Sequence, residues 1–227
     1  MNKKNYLLDL NNSKKPFIIY KSDKGFDLYT DFSKKIILNN NNIEKFINKN
    51  NRLKFPYKET DLFIGFFGYE ILNNLIDVKI KKQKTINFPK GIFYKPETKI
   101  KLPNNLEYKK TRSLNSNDLF KININKKSYK VIFDKFKKKI KSGETYQIKI
   151  CTKYSNKSQI DALDFFSRLV KTNMAPEAFM IKDKNYSIIS CSPENLITKK
   201  NNFITTKPIA GTLKKTKKLN KNKALTF

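Results

Sequence analysis

Two cysteines and no histidine bound the chemistry open to this 227-residue sequence. Without imidazole, a histidine-based triad and a classical zinc site are both excluded within the chain. What remains is carboxylates, amides, hydroxyls, lysines and backbone groups. Cys151 follows IKI and Cys191 closes SIISC, both apolar and strand-like settings, so two buried free thiols are expected rather than a disulfide or a metal pair. The other candidates fall in four stretches: GFFGYE at 65–70, SGETYQIKICTKYS at 142–155, SCSPENLI at 190–197 and TTKPIAGT at 205–212. Taken singly, each reads as structure. Gly65 and Gly68 interrupt an apolar run, as glycines do at a close backbone approach; SPE with Glu194 reads as a turn, and PIAGT as a proline turn.

Elements must position these stretches, and the composition supports them. Hydrophobic residues make up 38% of the chain, with 18 Phe and 11 Tyr, enough to build a core. In the first hundred residues PFIIYK, FDLYTDF and KKIILNN alternate apolar and polar between Asn/Lys turns, which predicts antiparallel strands. IEKFI predicts a short helix between Asn-rich loops. Lys95 to Asp118 is rich in Lys, Pro and Asn with weak periodicity, and a domain boundary is expected near its end, giving domains 1–120 and 121–227. Beyond it, Tyr129, Ile132, Phe133, Phe136 and Ile140 share one helical face, with Ser128 as the expected N-cap and Gly143 past the end. Tyr146, Ile148 and Ile150 then alternate with polar residues, predicting a strand. A second helix is expected over Ile160 to Lys171, followed by the strand NYSIISC, the SPE turn and a hairpin turning at Lys200 to Asn202.

Charge raises a different possibility. Lys and Arg number 49 against 19 Asp and Glu, a formal +30, which suggests nucleic acid or an anionic surface as partner. The excess is lysine, however, spread from Lys3 to Lys223 and accompanied by Asn and Ile, which share A/T-rich codons. Base composition explains that scatter better than a binding stripe, since nucleic-acid readers cluster arginine with aromatics. No specific nucleic-acid partner is expected. No window approaches the ~20 apolar residues of a membrane span, and the N-terminus lacks the apolar core of a secretory signal. The expectation is a cytoplasmic protein.

In their order and spacing, the four stretches together resemble the chorismate-utilising family: component I of anthranilate synthase and of 4-amino-4-deoxychorismate synthase, with isochorismate and salicylate synthases more distant. The resemblance covers residues 60–227 and is vague before them. It implies an α+β fold, an antiparallel β-sandwich with helices on its outer faces. It also implies addition of ammonia to the chorismate ring with loss of the hydroxyl, assisted by Mg2+ on carboxylates, with a glutamine amidotransferase subunit supplying the ammonia. Chorismate is a small dicarboxylate, and the backbone N–H groups of Gly211 and Thr212 are the expected carboxylate donors. Ala210 is a specificity position, small enough to leave room for ammonia, and Gln147, on an alternating strand, either faces the ring or caps a sheet edge.

Residue identities then speak to the branch. Isochorismate-forming members carry a lysine where Gln147 stands, and an amide cannot act as a base, so ammonia addition is favoured over hydroxylation. Many aminodeoxychorismate synthases carry lysine at the Ala210 position as a nucleophile, PIKGT, although lysine-free members occur; anthranilate synthases have alanine. The tryptophan site of anthranilate synthases uses Leu-Leu-Glu-Ser, from which LLDLNNS at 7–13 departs, and a Met after Asn-Pro-x-Pro-Tyr, where NMAPEAF has Ala178. These departures favour the aminodeoxychorismate type, with anthranilate synthase component I as the alternative. The family's Mg2+ carboxylates and its active-site histidine follow PIAGT, so the chain is expected to be a truncated component I with an incomplete chorismate-binding domain, no catalytic residue or metal ligand of its own, and no catalysis alone. The readings from other classes are a basic nucleic-acid-binding protein and a non-catalytic module that complements a separately encoded half.

Overall fold

The computed structural model describes residues 3–13, 15–22, 24–50, 61–76, 88–106, 108, 120–158 and 160–209. The chain forms two compact units, residues 1–108 with 165–227, and residues 109–164.

The first unit is built on one curled antiparallel sheet of six strands, in the order β3-β4-β2-β1-β7-β8. The strands are β1 (Phe17–Ser22), β2 (Gly25–Ile37), β3 (Ile64–Phe67), β4 (Gly91–Leu102), β7 (Glu177–Lys182) and β8 (Ser187–Ser192). The expected FDLYTDF and KKIILNN strands are one long β2, which bends where Asp31 takes φ 52° and the register with β4 shifts between Phe32 and Lys34. Two packed layers, the sandwich expected from the sequence, are not seen among the described residues; the alternating strands form one curled open sheet, a half-barrel, instead. β1 pairs with β7 from Phe17↔Lys182 to Tyr20↔Phe179, so the sheet crosses the expected boundary at 120/121. A strand as apolar as FII, buried throughout, needs a partner on each edge.

Burial explains why these strands hold. Ile18, Tyr29, Ile92, Tyr94 and Ile181 form one cluster, and Leu38, Ile43, Ile71 and Phe93 form a second. Each such side chain contributes about 1.5–3 kcal/mol when fully buried. The second cluster includes Ile43 of the predicted short helix, α2 (Ile43–Asn50). Gly65 is required by its neighbour strand, because a Cβ there would lie 1.9 Å from the Ile92 carbonyl oxygen. The close backbone approach read from GFFGYE is therefore present. Helix α1 (Lys3–Asn12) was not expected from the sequence; it buries Leu7 and Leu10, and the amide of Asn11 donates to the Tyr108 hydroxyl at 3.1 Å. After it in chain order come α2, the single turn α3 (Leu72–Leu75), α4 (Lys126–Lys141) and α5 (Ala162–Asn173). The predicted second helix is α5, where Asp161 caps the Leu163 and Asp164 amides and Phe166 meets Phe26 edge-on at 5.9 Å.

The second unit carries α4 and the ribbon of β5 (Lys121–Ile122) with β6 (Tyr154–Ser155). The N-cap of α4 is Asn125 rather than Ser128: the Asn125 carboxamide oxygen accepts from the Ser128 N–H at 2.9 Å. Asn125 is the residue with extended backbone, and Ser128 is already within the first turn. At the other end Gly143 takes φ +77°, and the Gly143 and Glu144 amides reach back to the carbonyls of Ile140 and Lys139. That is a Schellman close, as the Ser-Gly-Glu stretch requires. The strand expected over ETYQIKICTKY is a correction: only Tyr154 and Ser155 pair, with Ile122 and Lys121. Alternation supplies a face, but a strand also needs hydrogen-bonding neighbours, and Thr145 to Ile150 have none among the described residues.

The ribbon β9 (Thr198–Lys200) and β10 (Phe203–Thr205) is the predicted hairpin, turning through Asn201 at φ 53°. No helix among the described residues is long and apolar enough to cross a membrane.

Candidate functional site

The Ser-Pro-Glu-Asn turn leaves the end of β8 and is fixed by its own side chains. Ser192 Oγ accepts from the Glu194 N–H at 3.2 Å and donates to the Glu194 carbonyl at 2.9 Å, closing the turn. The turn reading of SPE is thus present in the structure. Asn195 Nδ2 donates to Glu177 Oε1 at 2.9 Å, and Tyr20 donates to Glu177 Oε2 at 2.8 Å. Both oxygens of Glu177 are therefore engaged, one on β1 and one on the turn. Asn195 Oδ1 in turn accepts from Thr198 Oγ1 at 3.1 Å, which ties the turn to the start of β9.

Glu194 points to the next stretch. Its Oε1 accepts from the backbone N–H of Ile209 at 3.3 Å, immediately before Ala210. Two of the four stretches, SCSPENLI and TTKPIAGT, are thus brought together by a direct contact. Ala210, Gly211 and Thr212 lie outside the described residues. Lys207 is exposed, as a surface charge would be.

Gln147 belongs to the second unit. It is exposed, outside any strand, and its backbone carbonyl accepts from Thr145 Oγ1 at 3.2 Å. Nearby, α4 turns no buried residue inward: Tyr129 and Phe133 stack at 6.4 Å on an exposed face, beside an open concavity of about 770 Å³ lined by Lys126, Lys130 and Val131. A hollow on one side of a single helix lacks the convergent polar groups of a ligand site.

The cysteines are free, as expected, but not buried. Cys151 is exposed, in a stretch with no strand partner among the described residues, and Cys191 is half-buried at the end of β8. Burial pushes the Cys191 thiol up, against the opposing charge of Lys21, so Cys191 is not an activated nucleophile.

A polar cluster that the sequence did not reveal joins β2, β4 and the β7–β8 turn. Lys35 and the Tyr94 hydroxyl both reach Asp183 Oδ2, and the Tyr186 hydroxyl lies 3.3 Å from that of Tyr94. Burial alone would raise the Asp183 carboxyl, but hydrogen bonds from Lys35, Tyr94 and the Lys184 N–H outweigh it and hold the group at about 2. Burial, then the neighbouring carboxylate, pushes Tyr94 well above the usual phenol range. The cluster is a fastening between strands: every polar group in it faces another across the sheet. Mg2+ is implied by the resemblance; among the described residues there is no group of three or more His, Cys, Asp or Glu that could hold a metal ion.

Comparison with known proteins agrees with the motifs. A family model described as chorismate binding enzyme matches residues 3–226. Aminodeoxychorismate synthase component 1 of Bacillus subtilis (strain 168) is 29% identical over 92 residues, covering 40% of this chain and 20% of that protein. Anthranilate synthase component 1 of Buchnera aphidicola subsp. Pemphigus spyrothecae is 28% identical over 190 residues, covering 83% of this chain and 34% of that protein. An anthranilate synthase component I-like protein of Synechocystis is 23% identical over 188 residues, 72% of this chain and 39% of its own. The chain thus spans between 20% and 39% of the length of these relatives. On the family match across nearly all of its residues, the chain belongs to the chorismate binding enzyme family.

Proposed function

We propose that this chain binds chorismate as part of a chorismate-aminating component I of the 4-amino-4-deoxychorismate type. The observation that carries the reading is the Glu194–Ile209 hydrogen bond, which sets the SPEN turn against the residue preceding Ala210, Gly211 and Thr212. In this reading the Gly211 and Thr212 backbone N–H groups receive a chorismate carboxylate, and Ala210 leaves space for ammonia. Gln147 offers an amide and no base, which suits ammonia rather than water as the nucleophile. Ala178, buried in β7, favours the aminodeoxychorismate type over anthranilate synthase. Relatives of both types are similar to the chain, so the choice rests on these residues.

A glutamine amidotransferase subunit is the proposed source of ammonia. For the 227 residues on their own we expect binding without turnover, because they contain no histidine and the described residues offer no Mg2+ donor set. The test is to incubate the purified chain with chorismate, ammonia and Mg2+ and to identify any product. The expected result is chorismate consumption no faster than with an unrelated protein. Formation of anthranilate would overturn the assigned type; formation of 4-amino-4-deoxychorismate would keep the type and overturn the lack of turnover.

A further inference from the structure

We propose that Glu177 is a positioning residue of this site: its carboxylate holds the Ser192–Asn195 turn so that Glu194 meets the Ile209 N–H. The inference rests on the reading above that the residues after Ile209 take chorismate. Glu177 opens β7 directly opposite Ser192 of β8, at the end of the sheet where the turn begins. From there one oxygen takes the Asn195 amide at 2.9 Å and the other takes the Tyr20 hydroxyl at 2.8 Å, so the carboxylate cannot swing without breaking a bond on either side. Among the described residues, the turn's other side-chain hydrogen bonds run within it, from Ser192 Oγ, to β9, through Thr198, and to Ile209, through Glu194. Glu177 therefore supplies its side-chain tie to the six-stranded sheet.

The chemistry suits the task. A charged acceptor makes hydrogen bonds about twice as strong as a neutral one, and the half-buried settings of Glu177 and Asn195 limit competition from water. A turn tied to a rigid sheet keeps Glu194 at a fixed distance from the β10 exit. A turn left free would carry Glu194 away from Ile209. Glu177 touches no reacting atom in this arrangement; it acts through Asn195 and Glu194.

The test uses the whole chain in three variants, Glu177→Ala, Asn195→Ala and Glu177→Gln, with amide hydrogen exchange and chorismate affinity as separate readouts. Both alanine variants should speed exchange at Glu194 and Ile209 by about tenfold, the loss of one charge-assisted bond. Glu177→Gln keeps a neutral oxygen for Asn195, about half as strong an acceptor, and should speed exchange by only about threefold. Chorismate affinity should fall in the alanine variants and be largely retained in Glu177→Gln. Unchanged exchange in both alanine variants overturns the proposal, as does a uniform rise that includes Met180 in mid-β7, the mark of a general loss of structure. Should wild type fail to bind chorismate while exchange responds as stated, the tie through Glu177 stands and the chorismate reading is what falls.

Discussion

Glu194 Oε1 lies 3.3 Å from the Ile209 backbone nitrogen, a contact spanning fifteen positions that joins the turn after β8 to the segment leaving β10. Its length places it at the weak end of hydrogen bonding, and both partners are exposed. Removing the acceptor in Glu194→Ala should therefore speed Ile209 amide exchange by about threefold, whereas Glu194→Gln, which retains an oxygen, should change it little. Amide exchange by NMR checks this, and equal exchange in the two variants would show that the contact does not form in solution.

The cap of α4 distinguishes two residues three positions apart. Asn125→Ala should destabilise the helix by about 1 kcal/mol, because the Ser128 amide loses its acceptor. Ser128→Ala should leave stability unchanged or raise it by a few tenths of a kcal/mol, since Ser128 contributes its backbone and not its side chain and alanine is the better helix former. Far-ultraviolet circular dichroism through a urea titration measures both.

Strand β3 can pass β4 only without a side chain at Gly65. The Cβ in Gly65→Ala would fall 1.9 Å from a backbone oxygen, which no rotamer can relieve. The strands must separate, at a cost of about 3 kcal/mol, the upper end of overpacking effects. Chemical denaturation should show a matching drop in midpoint.

Asp183 makes the stability of the sheet depend on acid. Its carboxyl is held at about 2 against an unfolded value of 3.8, so the folded state keeps the proton off more strongly. The resulting contribution, about 2 kcal/mol, is present above pH 4 and is lost as pH falls from there toward 2. Asp183→Asn should remove that dependence and leave Lys35 without its carboxylate partner. Urea midpoints of wild type and variant, compared between pH 2 and pH 6, should converge at the acid end.

How much of this was legible in the sequence follows from the range of the interactions. Helix α5, the close of α4 at Gly143 and the hairpin around Asn201 rest on neighbours a few residues away, and local patterns announced them. The β1–β7 pairing joins Phe17 to Lys182, and nothing in FIIYK or AFMIK singles out the other. Long β2 read as two strands because the bulge at Phe32 to Lys34 breaks its alternation. The strand expected at 146–150 failed for the converse reason: alternation was present, and backbone hydrogen-bonding neighbours among the described residues were not. In the site, Glu194 was visible through its motif, while Tyr20 and Glu177 were not, since their roles depend on register between distant strands. The one available signal for Glu177 was a carboxylate at the mouth of an otherwise apolar strand, AFMI.

The most direct test of the central claim is a titration of the purified chain with chorismate, followed by ligand-observed NMR, beside a Gly211→Val variant that crowds the backbone donors. Saturable binding to wild type that weakens at least tenfold in the variant is the expected result. Absence of saturable binding at millimolar chorismate, or equal binding by both proteins, would contradict a chorismate site at Gly211 and Thr212.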